Sequence, residues 1–318
     1  MLRPRFFSAL TLLALAACVA KDTRRAAIDS TDSAKKAEVL ANAPTPGASV
    51  AGFQHPESAR YDSLLDVFFV SNMNGDPDAK DDNGFISRLR PDGTIDSLRF
   101  IASGRGGVTL DAPRGLVITG DTLWAVDIDA VRGFDKRTGA PLVTVDFRGQ
   151  KPDFLNDIAA APDGSLYITD TGPDSGPAAT GGNRIFKIGK GHRVSVALHS
   201  DSLGRPNGIT WDARGRRFII VQWAGRRILG WRPGDAQPRT IGFGATRSDG
   251  VEVLADGRLL ITSWAEHALL IHYGAEEYTV RGFSAPADFG VDTRRRRLAI
   301  PIADKNTVEF WAIPPLQP

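Results

Sequence analysis

Two carboxylates and an amide, Glu57, Asp249 and Asn207, stand at matching positions of a short motif that recurs along this chain of 318 residues. They are hard oxygen donors, a set that suits Ca2+ first, then Mg2+ or Mn2+, with Zn2+ also open. The copies of the motif read Pro56-Glu57-Ser58-Ala59, Pro113-Arg114-Gly115-Leu116, Leu155-Asn156-Asp157-Ile158, Pro206-Asn207-Gly208-Ile209, Ser248-Asp249-Gly250-Val251 and Ala287-Asp288-Phe289-Gly290. Gathered in one ring, Glu57, Asp249 and Asp288 against Arg114 carry a net charge of about −2, which a divalent cation neutralises. Without one, crowded carboxylates raise one another's pKa. Arg114 is open to two readings, gripping an anionic substrate or pairing with Asp288 or Glu57. Asp288 and His55 are candidate proton acceptors.

The elements that must position these residues follow from the spacing. The markers Glu57, Arg114, Asn156, Asn207, Asp249 and Asp288 are separated by 57, 42, 51, 42 and 39 residues, close to the period of a four-stranded propeller blade. An all-β, six-bladed β-propeller is therefore expected, with a marker opening each innermost strand. The unit beginning at 208 shows the scheme best: runs 208–212, 217–223, 227–232 and 239–243 are strand-length and divided by turn residues such as Arg214-Gly215 and Pro233-Gly234. After Asp288 only three runs remain, 289–292, 298–302 and 308–313. The orphan run 49–54 is expected to close the last blade and so remove two exposed edges.

Over about 50–313 the chain resembles the senescence marker protein, regucalcin and gluconolactonase family of six-bladed propellers. Glu57-Ser58-Ala59-Arg60-Tyr61-Asp62 is similar to its first metal-ligand motif, Asn207-Gly208-Ile209 and Asp249-Gly250-Val251 to its later ones, and Asn156-Asp157 to its substrate-side motif. The resemblance implies a cation held by Glu57, Asn207 and Asp249, substrate contact by Asn156, and Asp249 as acceptor of the attacking water's proton. Where sugar lactonases of the family carry Arg, two residues before the substrate-side Asn, this chain has Phe154, so a sugar lactone is not the expected substrate.

Other chemistries have little support. The sequence has no Gly-x-Ser-x-Gly elbow and no His-Glu-x-x-His helix. Among its five His residues, His55 and His267 fall near the expected open face. Trp223 and Trp264 follow second strands and can line a pocket, while the other Trp residues read as packing. Residues ending second strands, Asn72, Asp127, Asp170, Gln222, Ser263 and Ile302, form a candidate ring of supporting groups. Asp76, Asp78, Asp81 and Asp82 read as a solvated acidic loop, Arg294 to Arg297 as a hairpin tip, and the Gly-rich stretch 172–182 as a loop governing substrate choice.

Residues 1–17 have the outline of an export signal, with Arg3 and Arg5 before an apolar run. Leu15-Ala16-Ala17-Cys18 resembles a bacterial lipobox, which implies lipidation of Cys18. Val19 after that cysteine resembles the pattern of outer-membrane lipoproteins facing the periplasm. Residues 18–46 then read as the lipidated cysteine and a flexible tether, and 47–318 as the propeller. Cys18 is the only cysteine, so stability must come from packing. Removing 1–17 takes away two Arg and no acids, so 39 basic against 37 acidic side chains become 37 against 37. That balance gives no electrostatic reason for nucleic-acid binding. The expected partners are a small-molecule substrate and a membrane reached through the lipid anchor, with the oligomeric state open. Two functions are therefore carried forward: a metal-dependent hydrolase of a lactone or related ester, and a non-catalytic propeller binding a small molecule or an envelope protein.

Overall fold

The structure, a computed structural model, describes residues 43–172, 182–274 and 276–315. Cys18, the signal segment, most of the tether and residues 173–181 lie outside them. Residues 44–314 form a six-bladed β-propeller of six four-stranded antiparallel sheets. The innermost strands are Pro56–Asp62, Leu116–Thr119, Leu155–Ala160, Pro206–Asp212, Ser248–Val253 and Gly290–Asp292. The last sheet takes its outermost strand from the other end of the chain, where Thr45–Ala51 pairs antiparallel with Thr307–Ala312. That strand begins four residues before the run 49–54, overlaps it, and reaches into the segment read as tether. Its exposed residues give little apolar alternation to reveal it.

Apolar layers between neighbouring blades form the core. Trp124 and Val131 of the second blade pack on Ile158, Ile168 and Phe186 of the third, and Tyr167 and Ile185 of the third on Phe218 and Trp231 of the fourth. The sixth blade meets the first through Ala299, Phe310, Phe68 and Val70. Each blade buries both faces, so its middle strands read as near-continuous apolar runs such as Phe68-Phe69-Val70. One ion pair is sealed between the first two blades: Lys136 Nζ lies 2.7 Å from Asp62 Oδ2, both side chains almost wholly buried. The Arg294 to Arg297 run does sit at a hairpin turn, where Arg295 pairs with Asp66 at 2.7 Å and Asp292 at 3.0 Å.

A repeated irregularity places the site. In the first blade the pairing Pro56↔Asn72 gives way to Ala59↔Val70, so one extra residue is inserted at Glu57-Ser58. The same one-residue shift follows Leu155, Pro206 and Ser248, and it separates Pro286↔Ile302 from Gly290↔Ala299 in the last blade. In the second blade Arg114 and Gly115 both bond Val126. Each marker is thus the residue of a β-bulge, a device that redirects a side chain and ends regular pairing. Second-strand hydroxyls secure the bulges: Ser71, Thr169 and Thr262 accept the N–H of Ser58, Asp157 and Gly250 at 2.8–3.0 Å. Glycine follows three of the markers, Arg114, Asn207 and Asp249, because the inner strands crowd together there. A Cβ on Gly208 would lie 2.1 Å from the Asp249 carbonyl oxygen, and one on Gly250 2.7 Å from Asp288 Cα.

Candidate functional site

The bulges of four blades bring Glu57, Asn156, Asn207 and Asp249 to the floor of one cavity of about 270 Å³. Arg114 and Phe154 line the same cavity. All four floor residues are buried, and three of their oxygens, Glu57 Oε2, Asn156 Oδ1 and Asn207 Oδ1, meet no hydrogen-bond donor. The Asn156 amide is oriented by donation from Nδ2 to Thr171 Oγ1 at 3.1 Å, leaving its carbonyl unmatched. Buried oxygens without partners are costly in a folded protein unless something else satisfies them. Three such atoms beside the Asp249 carboxylate have the donor chemistry of a hard divalent cation, and the absence of His or Cys from the set favours Ca2+, Mg2+ or Mn2+ over Zn2+. Among the described residues no three His, Cys, Asp or Glu side chains converge as a metal cluster by themselves. The amide oxygens are thus indispensable to a cation site here.

Electrostatics point the same way. Burial, then the Asp249, Asp288 and Asp157 carboxylates, push Glu57 well above the usual carboxylate range, with Arg114 offsetting only part. Burial and then Asp288 push Asp249 up to about 8, opposed by the indole of Trp264. That indole lies beside Asp249, yet its Nε1 meets no acceptor at hydrogen-bonding distance. His55, on the cavity wall, is lowered chiefly by burial, which keeps its imidazole neutral near pH 7.

Asp288 is not among the residues lining the cavity. Its Oδ2 accepts from Ser58 Oγ at 2.6 Å and Arg60 Nη2 at 2.8 Å. It belongs to a second polar layer further along the axis, in which Arg60 also pairs with Glu252, and Thr210 Oγ1 donates to Glu252 Oε2 at 3.1 Å. Arg60, Thr210 and Glu252 each stand three residues after a marker, Glu57, Asn207 and Asp249. That spacing was a legible signal that marker comparison alone passes over. Burial opposes the charge on Arg60, but Asp288, Glu252 and Asp157 more than restore it.

Arg114 pairs with neither Asp288 nor Glu57. Its Nη1 donates to the Leu155 carbonyl at 3.0 Å, its Nη2 to the Pro77 carbonyl, its guanidinium lies 3.8 Å from the Phe154 ring centroid, and its ion-pair partner is Asp78 at 3.7 Å. It therefore pins the acidic loop over the cavity. In that loop Asp76 and Asp81 serve local turns, accepting from the Asp78 N–H and the Asn83 amide. His267 does not line the cavity; its Nδ1 meets the Ser284 carbonyl at 2.6 Å. Second-strand ends act one step back from the site. Asp170 accepts the N–H of Asp153 and Phe154, Asp127 those of Asp111 and Ala112, and Asn72 that of Gln54, so they hold the loops leading into the markers.

Fold and site together define a six-bladed propeller with an oxygen-donor pocket at one end of its axis. The SMP-30/Gluconolactonase/LRE-like region profile matches residues 83–290, well over half of the chain. The chain belongs to that family. Among solved structures, a gluconolactonase from Xanthomonas campestris superposes with a TM-score of 0.62 at 15% identity, over 85% of this chain and 95% of that one. Virginiamycin B lyase from Staphylococcus aureus gives 0.59 at 13%, over 84% and 99%, and a luciferin-regenerating enzyme 0.59 at 10%, over 85% and 94%. At these identities the likeness is one of fold. No curated protein matches the chain by sequence.

Proposed function

We propose that the protein is a divalent-cation-dependent hydrolase of a lactone or related carboxylic ester. The observation that carries this reading is the set of three buried, partnerless oxygens beside Asp249 at the floor of one axial cavity, in a member of a family whose structural relatives include a gluconolactonase. Glu57, Asn207 and Asp249 hold the cation, with the Asn156 carbonyl facing the same space. When bound, the cation polarises the substrate carbonyl and makes water more acidic. Asp249 accepts the proton of the attacking water, and His55, neutral and on the same wall, is the second acceptor. Asp288, committed to Ser58 and Arg60 away from the cavity, acts on substrate only through its charge. In the overall step the water oxygen bonds to the carbonyl carbon and the acyl C–O bond breaks. One proton goes to the departing alkoxide and the product acid ionises. Arg114 paired into the ring would have favoured a closed, non-catalytic propeller, and its engagement with Asp78 and the Pro77 carbonyl removes that argument. Assay of a panel of lactones and aryl esters with Ca2+ and with chelator tests the reading: chelator-sensitive hydrolysis is expected, and no turnover of any member under either condition overturns it.

Export, lipidation of Cys18 and residence at the periplasmic face of the outer membrane remain proposals from the sequence. Incorporation of labelled palmitate that is lost in Cys18→Ser tests them.

A further inference from the structure

Above the polar floor the cavity has a different character. Its wall carries an apolar stretch of Met73, Pro77, Phe154, Trp223 and Trp264, beside the polar His55, Asp78, Thr171 and Arg205. Trp223 and Trp264 pack edge to face with centroids 5.6 Å apart, and the apolar five, all but Met73, are only partly buried, so they present apolar surface to the opening. The cationic side chains of the wall are engaged with the protein itself. Arg114 donates to the Leu155 and Pro77 carbonyls while stacking on Phe154. Arg205 donates to the Thr171 and Gly172 carbonyls at 3.3 and 2.9 Å. Two wall donors, Trp264 Nε1 and Arg114 Nε, are buried and meet no acceptor. They match oxygens that only accept, such as a carbonyl or ring oxygen. Acceptors in the cavity are concentrated at its floor and at Asp78 and His55, so polyol hydroxyls seated against the apolar side chains would lack them, and each one left without an acceptor costs about 1–3 kcal/mol.

We infer that the pocket selects a lactone or ester bearing an aromatic or bulky apolar substituent, seated against the Trp223–Trp264 pair and Phe154, over a polyhydroxylated one. The inference rests on the hydrolytic reading above for the reacting group, while the wall alone sets the substituent. A binding measurement therefore separates the two. The probes are 3-phenylpropanamide, which carries the ring and an acceptor carbonyl but is not an ester, and D-glucitol as the polyol. Calorimetric titration into the protein with millimolar Ca2+ is expected to give 3-phenylpropanamide a Kd about tenfold or more below that of glucitol. Trp223→Ala is expected to erase most of that preference and Trp223→Phe to keep it. Because Trp223 lies outside the inter-blade layers, an unchanged melting temperature shows that the variant is folded, and Phe154→Ala gives an independent second variant. Glucitol binding as tightly as the aromatic probe, neither probe binding, or folded Trp223→Ala and Phe154→Ala both retaining the preference would each overturn the inference. Aromatic binding without hydrolysis of any ester supports the inference and removes the hydrolase. A higher kcat/KM for glucono-δ-lactone than for γ-phenyl-γ-butyrolactone overturns the inference and leaves the hydrolase standing.

Discussion

Asp249→Asn in the presence of chelator probes the electrostatics of the floor most directly. With no cation, burial and the neighbouring Asp288 hold the Asp249 carboxyl up to about 8, against about 4 in an unfolded chain. Between those two values the folded chain binds a proton that the unfolded chain has released, so stability falls as pH rises. It is greatest below the unfolded pKa, and the loss levels off above the folded one. One proton of difference is worth about 1.4 kcal/mol per pH unit, which makes about 3 kcal/mol between about pH 5 and pH 7 an upper figure for this group. In a domain of this size that corresponds to a melting-temperature change of about 5–10 °C. His55 and His272, both lowered by burial, act in the opposite sense: their contribution is lost as pH falls through the ordinary histidine range. Those groups are shared by wild type and variant, so the difference between the two proteins isolates the floor. The substitution also removes the charge that raises Glu57, which adds to the effect with the same sign. Urea denaturation at intervals over this pH range, in chelator, is expected to show wild type losing stability relative to Asp249→Asn as pH rises. Saturating Ca2+ should flatten that loss, because it favours the ionised pair. A wild-type-minus-variant difference that stays constant with pH in chelator would refute the claim that Asp249 is a desolvated, crowded carboxyl.

Millimolar Ca2+ should raise the melting temperature of wild type, by about 2.7 kcal/mol of stability at a hundredfold excess over Kd, and Glu57→Gln should remove most of that gain; scanning fluorimetry showing no shift with any divalent cation removes the proposed site. Gly208→Ala forces a Cβ against the Asp249 carbonyl oxygen at 2.1 Å, so it should cost on the order of 1–3 kcal/mol in urea denaturation and weaken Ca2+ binding by displacing Asp249. Lys136→Met strands Asp62 in the interface between the first two blades, with an expected cost of about 3–5 kcal/mol; Asp62→Asn added to it should recover part of that loss, and a single variant as stable as wild type would show the pair to be dispensable.

The architecture was legible because a propeller repeats one local decision. A polar marker, a bulge and an apolar strand recur at blade spacing, and rotation does the rest, so Glu57, Asn156, Asn207 and Asp249 could be placed in one ring from residues nearly 200 positions apart. The closing strand was placed late because it is an exposed outer strand at Thr45–Ala51, where burial imposes no pattern for a reader to follow. Reading by markers also treated the ring as one layer. Asp288 shows why that fails: in the last blade the marker lies outside the regular strand Gly290–Asp292, and its carboxylate meets Arg60, a residue three places beyond a different marker. Partner choice among six converging strands depends on axial height, which the period does not encode. Arg114 illustrates the same limit from the other side. Its position was predicted by the repeat, but its partners are backbone carbonyls of Leu155 and of Pro77, in a loop that belongs to no repeat. The repeat thus fixes which residues face the axis, whereas non-repeating segments decide which of them remain open to a ligand. At this site they leave three oxygens and Asp249 open at the floor and build the apolar wall above it.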